Sequence, residues 1–245
     1  MLLSLLIRKG RQFTGWEGLP PIAVSLGLLS GLIFLLLRKM PLAVIFISYG
    51  IILLESRIPL RGLIRGFPGA SILVTLVRAT FFFLPLPFLG FPVLNPLSWG
   101  VLAGIAYGML LQLRQLPDLR LMLSREFIAV LPPLSKEERF DEMLFPTLGA
   151  VAQEYFYRGA MLYVLIGFVG LWSIVIAAAL FTIEHLVHFN SSEAFDGYDF
   201  LVQAILGLGL GVVFYFSSSL VGCMFGHIVY NGFAVLQALR RKSSK

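Results

Sequence analysis

Residues 143–166 read MLFPTLGAVAQEYFYRGAMLYVLI, a run of 24 residues whose only charges are Glu154 and Arg158. At ~1.5 Å per residue a helix of this length covers about 36 Å, more than a hydrocarbon core of ~30 Å. The run is therefore read as a membrane span with two charges deep inside it. Counted from Leu144, Glu154 comes ten residues later, roughly 15 Å down the helix. A charge at that depth costs ~2.5–3.5 kcal/mol on insertion scales, so by default it faces a cavity or a partner and marks function. Glu154 and Arg158 stand at i,i+4 on one face and can pair. Taken alone, they fit a structural ion pair that locks helix packing as well as they fit a functional site.

The rest of the chain extends the pattern. Of its 245 residues, 58% are hydrophobic and 13% charged, against roughly 45–50% and about 25% in a soluble domain. The excess falls in blocks long enough to span a bilayer. Their runs of Leu, Ile, Val and Phe lack strict alternation, which selects helices over the strands of a membrane barrel. The expected fold is all-α, a polytopic bundle of about eight transmembrane helices at residues 19–37, 41–55, 69–90, 95–113, 143–166, 171–189, 199–216 and 219–239. Arg38-Lys39-Met40-Pro41 turns the chain between the first two, and Pro85-Leu86-Pro87 breaks or bends the third. Between the upstream spans (19–113) and the later ones, residues 114–142 alternate apolar with charged side chains. They are expected to form an amphipathic linker on the membrane surface. Within it, Ser135-Lys136-Glu137-Glu138 opens a helix in the manner of a capping box. The whole chain, 1–245, reads as a single membrane domain.

A net charge of +6 does not imply nucleic acid as a partner, because the basic residues flank apolar blocks. Arg8, Lys9 and Arg11 precede the first span, and Arg57, Arg61 and Arg65 follow the second. Arg114, Arg120, Arg125 and Lys136 follow the fourth, and Arg240, Arg241 and Lys242 the last. With eight spans all four clusters lie on one side, which the positive-inside rule makes cytoplasmic, both termini included. Arg38-Lys39 and the acidic Ser191–Asp199 loop fit this arrangement less well. The N-terminal MLLSLLIRKGRQF places its apolar run before its basic residues, the reverse of a signal peptide, and is read as a retained interfacial segment. Cys223 is the single cysteine and forms no internal disulfide.

Three further places put polar groups in apolar spans. Phe181-Thr182-Ile183-Glu184-His185 is followed by His188; the two histidines, at i,i+3, fit a shared metal or an interfacial pair at a helix end. Glu184 precedes His185 by one residue and should point about 100° away from it. Gly226-His227-Ile228-Val229-Tyr230-Asn231 puts His227 and Asn231 at i,i+4, facing one place. Arg78 lies in a span with no acidic residue of its own, and snorkelling is the plain reading. Peptide hydrolysis needs groups of these kinds: a carboxylate or His to take a proton from water, and a His or Asn to stabilise an oxyanion.

In order and spacing, Gln153-Glu154-x-x-x-Arg158-Gly159, Phe181-x-x-x-His185 and His227-x-x-x-Asn231 resemble the three-part signature of the CAAX protease and bacteriocin-processing family. That signature runs E-E-x-x-x-R, F-x-x-x-H and H-x-x-x-N/D. The resemblance makes about 143–240 the family-like catalytic core. It implies a glutamate-type intramembrane endopeptidase that needs no cofactor or metal and acts on a membrane-anchored protein or peptide. By this resemblance, position 153 and His185 would activate water, His227 and Asn231 would form the oxyanion site, and Glu154 and Arg158 would support the geometry. The departure is Gln153, where the family has its catalytic Glu; an amide cannot accept a proton near neutral pH. It leaves three readings open: an engineered inactivating substitution, a natural pseudo-enzyme, or an active variant in which Glu154 or Glu184 is the base. Beside the protease stand a non-catalytic scaffold or chaperone that binds a transmembrane helix in the same cavity, and a zinc protease using His185, His188 and His227. The latter lacks an H-E-x-x-H motif. Oligomeric state is not legible, although Gly207-Leu208-Gly209-Leu210-Gly211 would admit a close neighbour from the same bundle, a second copy or a substrate.

Overall fold

A computed structural model describes residues 19–56, 58, 69–90, 95–96, 98–187 and 197–242. His188, the 1–13 segment, the Arg57–Arg65 cluster and most of the acidic 191–199 loop lie outside the described residues. The described residues are helical, without an extended strand. In chain order the helices are α1 (Leu19–Leu36), α2 (Met40–Ser56), α3 (Ala70–Phe82), α4 (Leu86–Leu89), α5 (Trp99–Met122) and α6 (Arg125–Val130). Then come α7 (Lys136–Glu154), a π-helical segment (Tyr155–Leu162), α8 (Tyr163–Val169), α9 (Trp172–Val187), α10 (Gly197–Ser217) and α11 (Leu220–Arg240).

Ala70–Leu89, Gly197–Ser217 and Leu220–Arg240 are long and apolar enough to cross a membrane by length and composition. Pro20–Leu36, Met40–Ser56, Trp99–Leu113 and Trp172–Val187 are shorter apolar helices, each on a span expected from the sequence. Side chains such as Ile22, Leu26, Leu32 and Leu36 on α1 and Leu102, Met109 and Leu110 on α5 are exposed on the outside of the bundle. Exposed apolar surface on this scale fits lipid as the solvent.

The turn between α1 and α2 is where the sequence placed it, with Arg38 at φ 55°. The Pro85-Leu86-Pro87 break is also present: α3 stops at Phe82 and only the short α4 follows. Two boundaries differ from expectation. Helix α5 does not end at 113 but continues through Pro117 to Met122, so the polar residues there mark the helix's emergence from lipid rather than its end. Helix α7 begins at Lys136, seven residues before the expected span at 143, and with the π segment and α8 runs without a break to Val169. Its start is the expected capping box. The Ser135 hydroxyl accepts from the Glu138 backbone N–H, and the Glu138 carboxylate accepts from the Ser135 N–H. Those bonds hold the exposed Glu138 carboxyl below its usual range, the Ser135 backbone N–H contributing most.

Glycines bring the helices of the core together. On α5, Gly100, Gly104 and Gly108 face Gly222 and Gly226 of α11. A Cβ on Gly104 would lie 2.0 Å from the Gly222 carbonyl oxygen, and one on Gly108 2.2 Å from that of Gly226. No side chain fits there, so the backbones touch, and His227 follows directly from this seam. The Gly207–Gly211 run meets its own bundle: Gly207 lies against Ala178 and Phe181, Gly211 against Ile174 and Gly209 against Tyr107. At the opposite end of α11 from its start, Arg241 binds both Glu142 oxygens (2.8 and 2.9 Å) and the Pro132 carbonyl, and Arg240 reaches the Leu123 carbonyl at 2.8 Å. The start of α7 and the end of α11 are thus fixed to one another.

Candidate active site

Glu154 ends α7, and the next eight residues wind as a π-helix, a rare form that occurs often at functional sites. Nothing in the local sequence announced it. Glu154 is completely buried. Its Oε1 accepts from Arg158 Nη1 at 3.1 Å and from His227 Nδ1 at 2.7 Å. The second Arg158 nitrogen donates to the Gly207 carbonyl at 3.0 Å, and the guanidinium stacks 5.0 Å from the centre of the Phe181 ring. One buried carboxylate therefore gathers an arginine from its own rod and a histidine from α11. Both of its donors are charged or chargeable, which suits an ion taken out of water.

One residue earlier, Gln153 points to a second group. Its Nε2 donates to Glu184 Oε2 at 3.1 Å. His185 Nδ1 lies 3.1 Å from the same oxygen and 3.0 Å from the Phe181 carbonyl. Glu184 is 3% exposed, whereas Gln153 and His185 are only half-buried. The expected divergence of Glu184 from His185 is thus corrected. The two Cα–Cβ directions differ, but the Glu side chain is long enough to bring its carboxylate back to the imidazole. Glu184 is the functional candidate that the 100° argument undervalued, and a partner 31 positions away (Gln153) gave no local signal.

The two groups are separated by one ring. Phe181 sits 4.5 Å from the His185 ring and 6.0 Å from the His227 ring, centre to centre, edge-on to the latter. Tyr157, fully buried, packs against the same ring at 5.2 Å. Asn231 is half-buried, and its Nδ2 donates to the Pro146 carbonyl at 3.0 Å, tying α11 to α7 beside His227. All six residues singled out from the sequence, Gln153, Glu154, Arg158, His185, His227 and Asn231, therefore lie on the α7–π rod, α9 and α11. Arg158, His185 and His227 meet at Phe181, Glu154 joins through Arg158 and His227 and Gln153 through Glu184, and Asn231 stands at the margin.

Arg78 does not join them, nor does it snorkel. Its Nε meets Glu55 Oε1 on α2 at 2.9 Å and its Nη2 the Ile58 carbonyl at 2.9 Å. The counter-charge missing from its own span comes from another helix. Among the described residues no three His, Cys, Asp or Glu side chains gather as a metal ion would need.

Residues 141–233 match the family model of the Rce1-like type II CAAX prenyl endopeptidases, which bears out the resemblance read from the three motifs. That stretch is an Rce1-like domain, which supports an intramembrane endopeptidase kind of function; the family acts on membrane-anchored proteins. With its apolar helices, it marks the chain as an integral membrane protein. No curated protein and no solved structure matches the chain.

Proposed function

Because residues 141–233 form an Rce1-like domain, we propose that the chain hydrolyses a peptide bond near the C-terminus of a membrane-anchored or lipidated protein or peptide. One observation carries the reading: two histidines from different helices flank Phe181, each with Nδ1 against a carboxylate. A carboxylate on Nδ1 fixes the tautomer and turns Nε2 toward the substrate. In this scheme His185, with the groups at position 153, orients a water for attack on the scissile carbonyl. As the oxygen of that carbonyl gains charge, His227 Nε2 and the second Asn231 N–H donate to it. In that step the His227 ring carries both protons, with Nδ1–H on the Glu154 carboxylate. Glu154 and Arg158 hold that ring and touch no substrate.

A second reading, a non-catalytic scaffold that binds a helix in the same cavity, draws on Gln153, which occupies the family's base position. The two readings part in a cleavage assay on the reconstituted chain and on its Gln153→Glu form, with prenylated and unprenylated C-terminal tails. The protease reading expects cleavage from at least one form, and a loss on the order of 10²-fold or more in that form when His185 or His227 becomes Ala. Binding of tails without cleavage by either form would establish the scaffold instead.

A further inference from the structure

The buried carboxylate beside Gln153 has no part in the family pattern, and its position gives it one. We propose that Glu184 is the proton acceptor of this site, serving from α9 the role that Gln153 cannot serve from α7. The inference rests on the protease reading above.

Among the described residues three glutamates are buried, and their partners sort them. Glu55 is held by Arg78 through Nε at 2.9 Å. Glu154 is completely buried, with Arg158 and His227 both on its Oε1; neutralising it would leave the buried Arg158 cation without its counter-charge and weaken the bond that positions His227. Glu184 instead meets two half-buried polar groups, the Gln153 amide and the His185 imidazole, with one of its oxygens. These are the same two positions that the motif assigns to water activation.

The exchange is chemically balanced. A Glu at 153 would put two carboxylates about 3 Å apart, and such a pair cannot both ionise. With Gln153 the site keeps one negative charge, and the amide N–H donates to it. The amide carbonyl, on the other branch of Gln153, is then an acceptor that can hold the water. Attack proceeds with one water proton passing to Glu184 while the water oxygen bonds to the carbonyl carbon. The π pair of that carbonyl moves to its oxygen, where His227 and Asn231 donate. When the pair returns, the C–N bond breaks. The proton on Glu184 goes to the departing nitrogen, leaving a carboxylic acid and an amine.

The test compares four forms of the full chain in lipid vesicles: unsubstituted, Glu184→Gln, Gln153→Glu, and the double exchange Gln153→Glu/Glu184→Gln. The double exchange preserves the hydrogen bond and the single charge but moves the carboxylate back to α7. The proposal requires the unsubstituted chain to cleave and Glu184→Gln to lower kcat on the order of 10²-fold or more with KM little changed. It also requires the double exchange to recover activity to within about tenfold. Retained activity in Glu184→Gln overturns it, as does loss without recovery in the double exchange. Cleavage by Gln153→Glu but not by the unsubstituted chain also overturns it, returning the base to position 153 while the protease reading stands. Absence of cleavage in all four forms removes the protease reading itself.

Discussion

Glu154 and Arg158 are both out of contact with solvent, and an ion pair so placed is not stabilising merely by existing. Desolvating two charges costs several kcal/mol each, and attraction offsets this only when the remaining hydrogen-bonding capacity is used. Here Arg158 uses both arms, one on Glu154 and one on the Gly207 carbonyl, with Phe181 beneath its plane, whereas the second Glu154 oxygen is buried without a hydrogen-bond partner. Removing the cation strands a buried carboxylate. Arg158→Met is therefore expected to lower unfolding free energy by about 3–5 kcal/mol, read as a shift in thermal unfolding of the detergent-solubilised protein. Arg158→Lys keeps the charge but cannot span both acceptors, so it should fall between the two; equal stability of Met and Lys variants would show that the charge is not what matters. This pair was legible in the sequence because both partners sit four residues apart on one rod. The Arg78–Glu55 and Gln153–Glu184 contacts were not, because each joins two helices and periodicity within a helix says nothing about which partner a side chain finds.

At the scale of the elements, the sequence showed where helices begin and break through local chemistry: the Arg38 turn, the Pro85-Leu86-Pro87 stop and the Ser135–Glu138 cap. It did not show the extension of α5 past 113, since a polar stretch reads alike as a helix end or as a helix leaving lipid, nor the π segment, which has no local signal. The glycine seam was missed for a related reason. Gly100, Gly104 and Gly108 recur every four residues, but their partners on α11 lie more than a hundred positions later. Small residues let helix backbones approach in lipid, where packing replaces the hydrophobic effect. Gly104→Ala would place a methyl group 2.0 Å from the Gly222 carbonyl oxygen, so the helices must part. We expect about 1–3 kcal/mol of destabilisation together with reduced cleavage, because His227 follows Gly226 on the displaced helix. Gly149→Ala, on α7 with open space at its Cβ, is expected to leave unfolding unchanged or slightly improved. If both alanines behave alike in thermal unfolding, the seam is not a close contact.

For the molecule as a whole, the question is which ends of the helices face the same compartment. Counting spans and applying the positive-inside rule placed Arg120, Arg125 and Arg240–Lys242 on one side, but an error of one span would reverse half of the assignment. The structure supplies a constraint that does not depend on counting. Leu134 N–H bonds to the Lys242 carbonyl at 2.9 Å, Arg139 Nη2 to the Arg241 carbonyl at 2.8 Å, and Arg240 Nη1 to the Leu123 carbonyl at 2.8 Å. The end of α5, all of α6, the start of α7 and the end of α11 therefore share one end of the bundle. Trp172, 71% exposed at the start of α9, follows the α7–π–α8 rod at its far end. Glu154 lies 18 residues up the rod from Lys136, about 27 Å along a helix, between these two ends. Single cysteines at 125, 242 and 172, placed in a Cys223→Ala background, put this to a test. A membrane-impermeant maleimide should label 125 and 242 from the same side and 172 from the other. With basic clusters inside, 125 and 242 should react only in inverted vesicles. Opposite sidedness of 125 and 242 would contradict the shared end directly, whereas common labelling from the outer face would keep the bundle and reverse only its orientation.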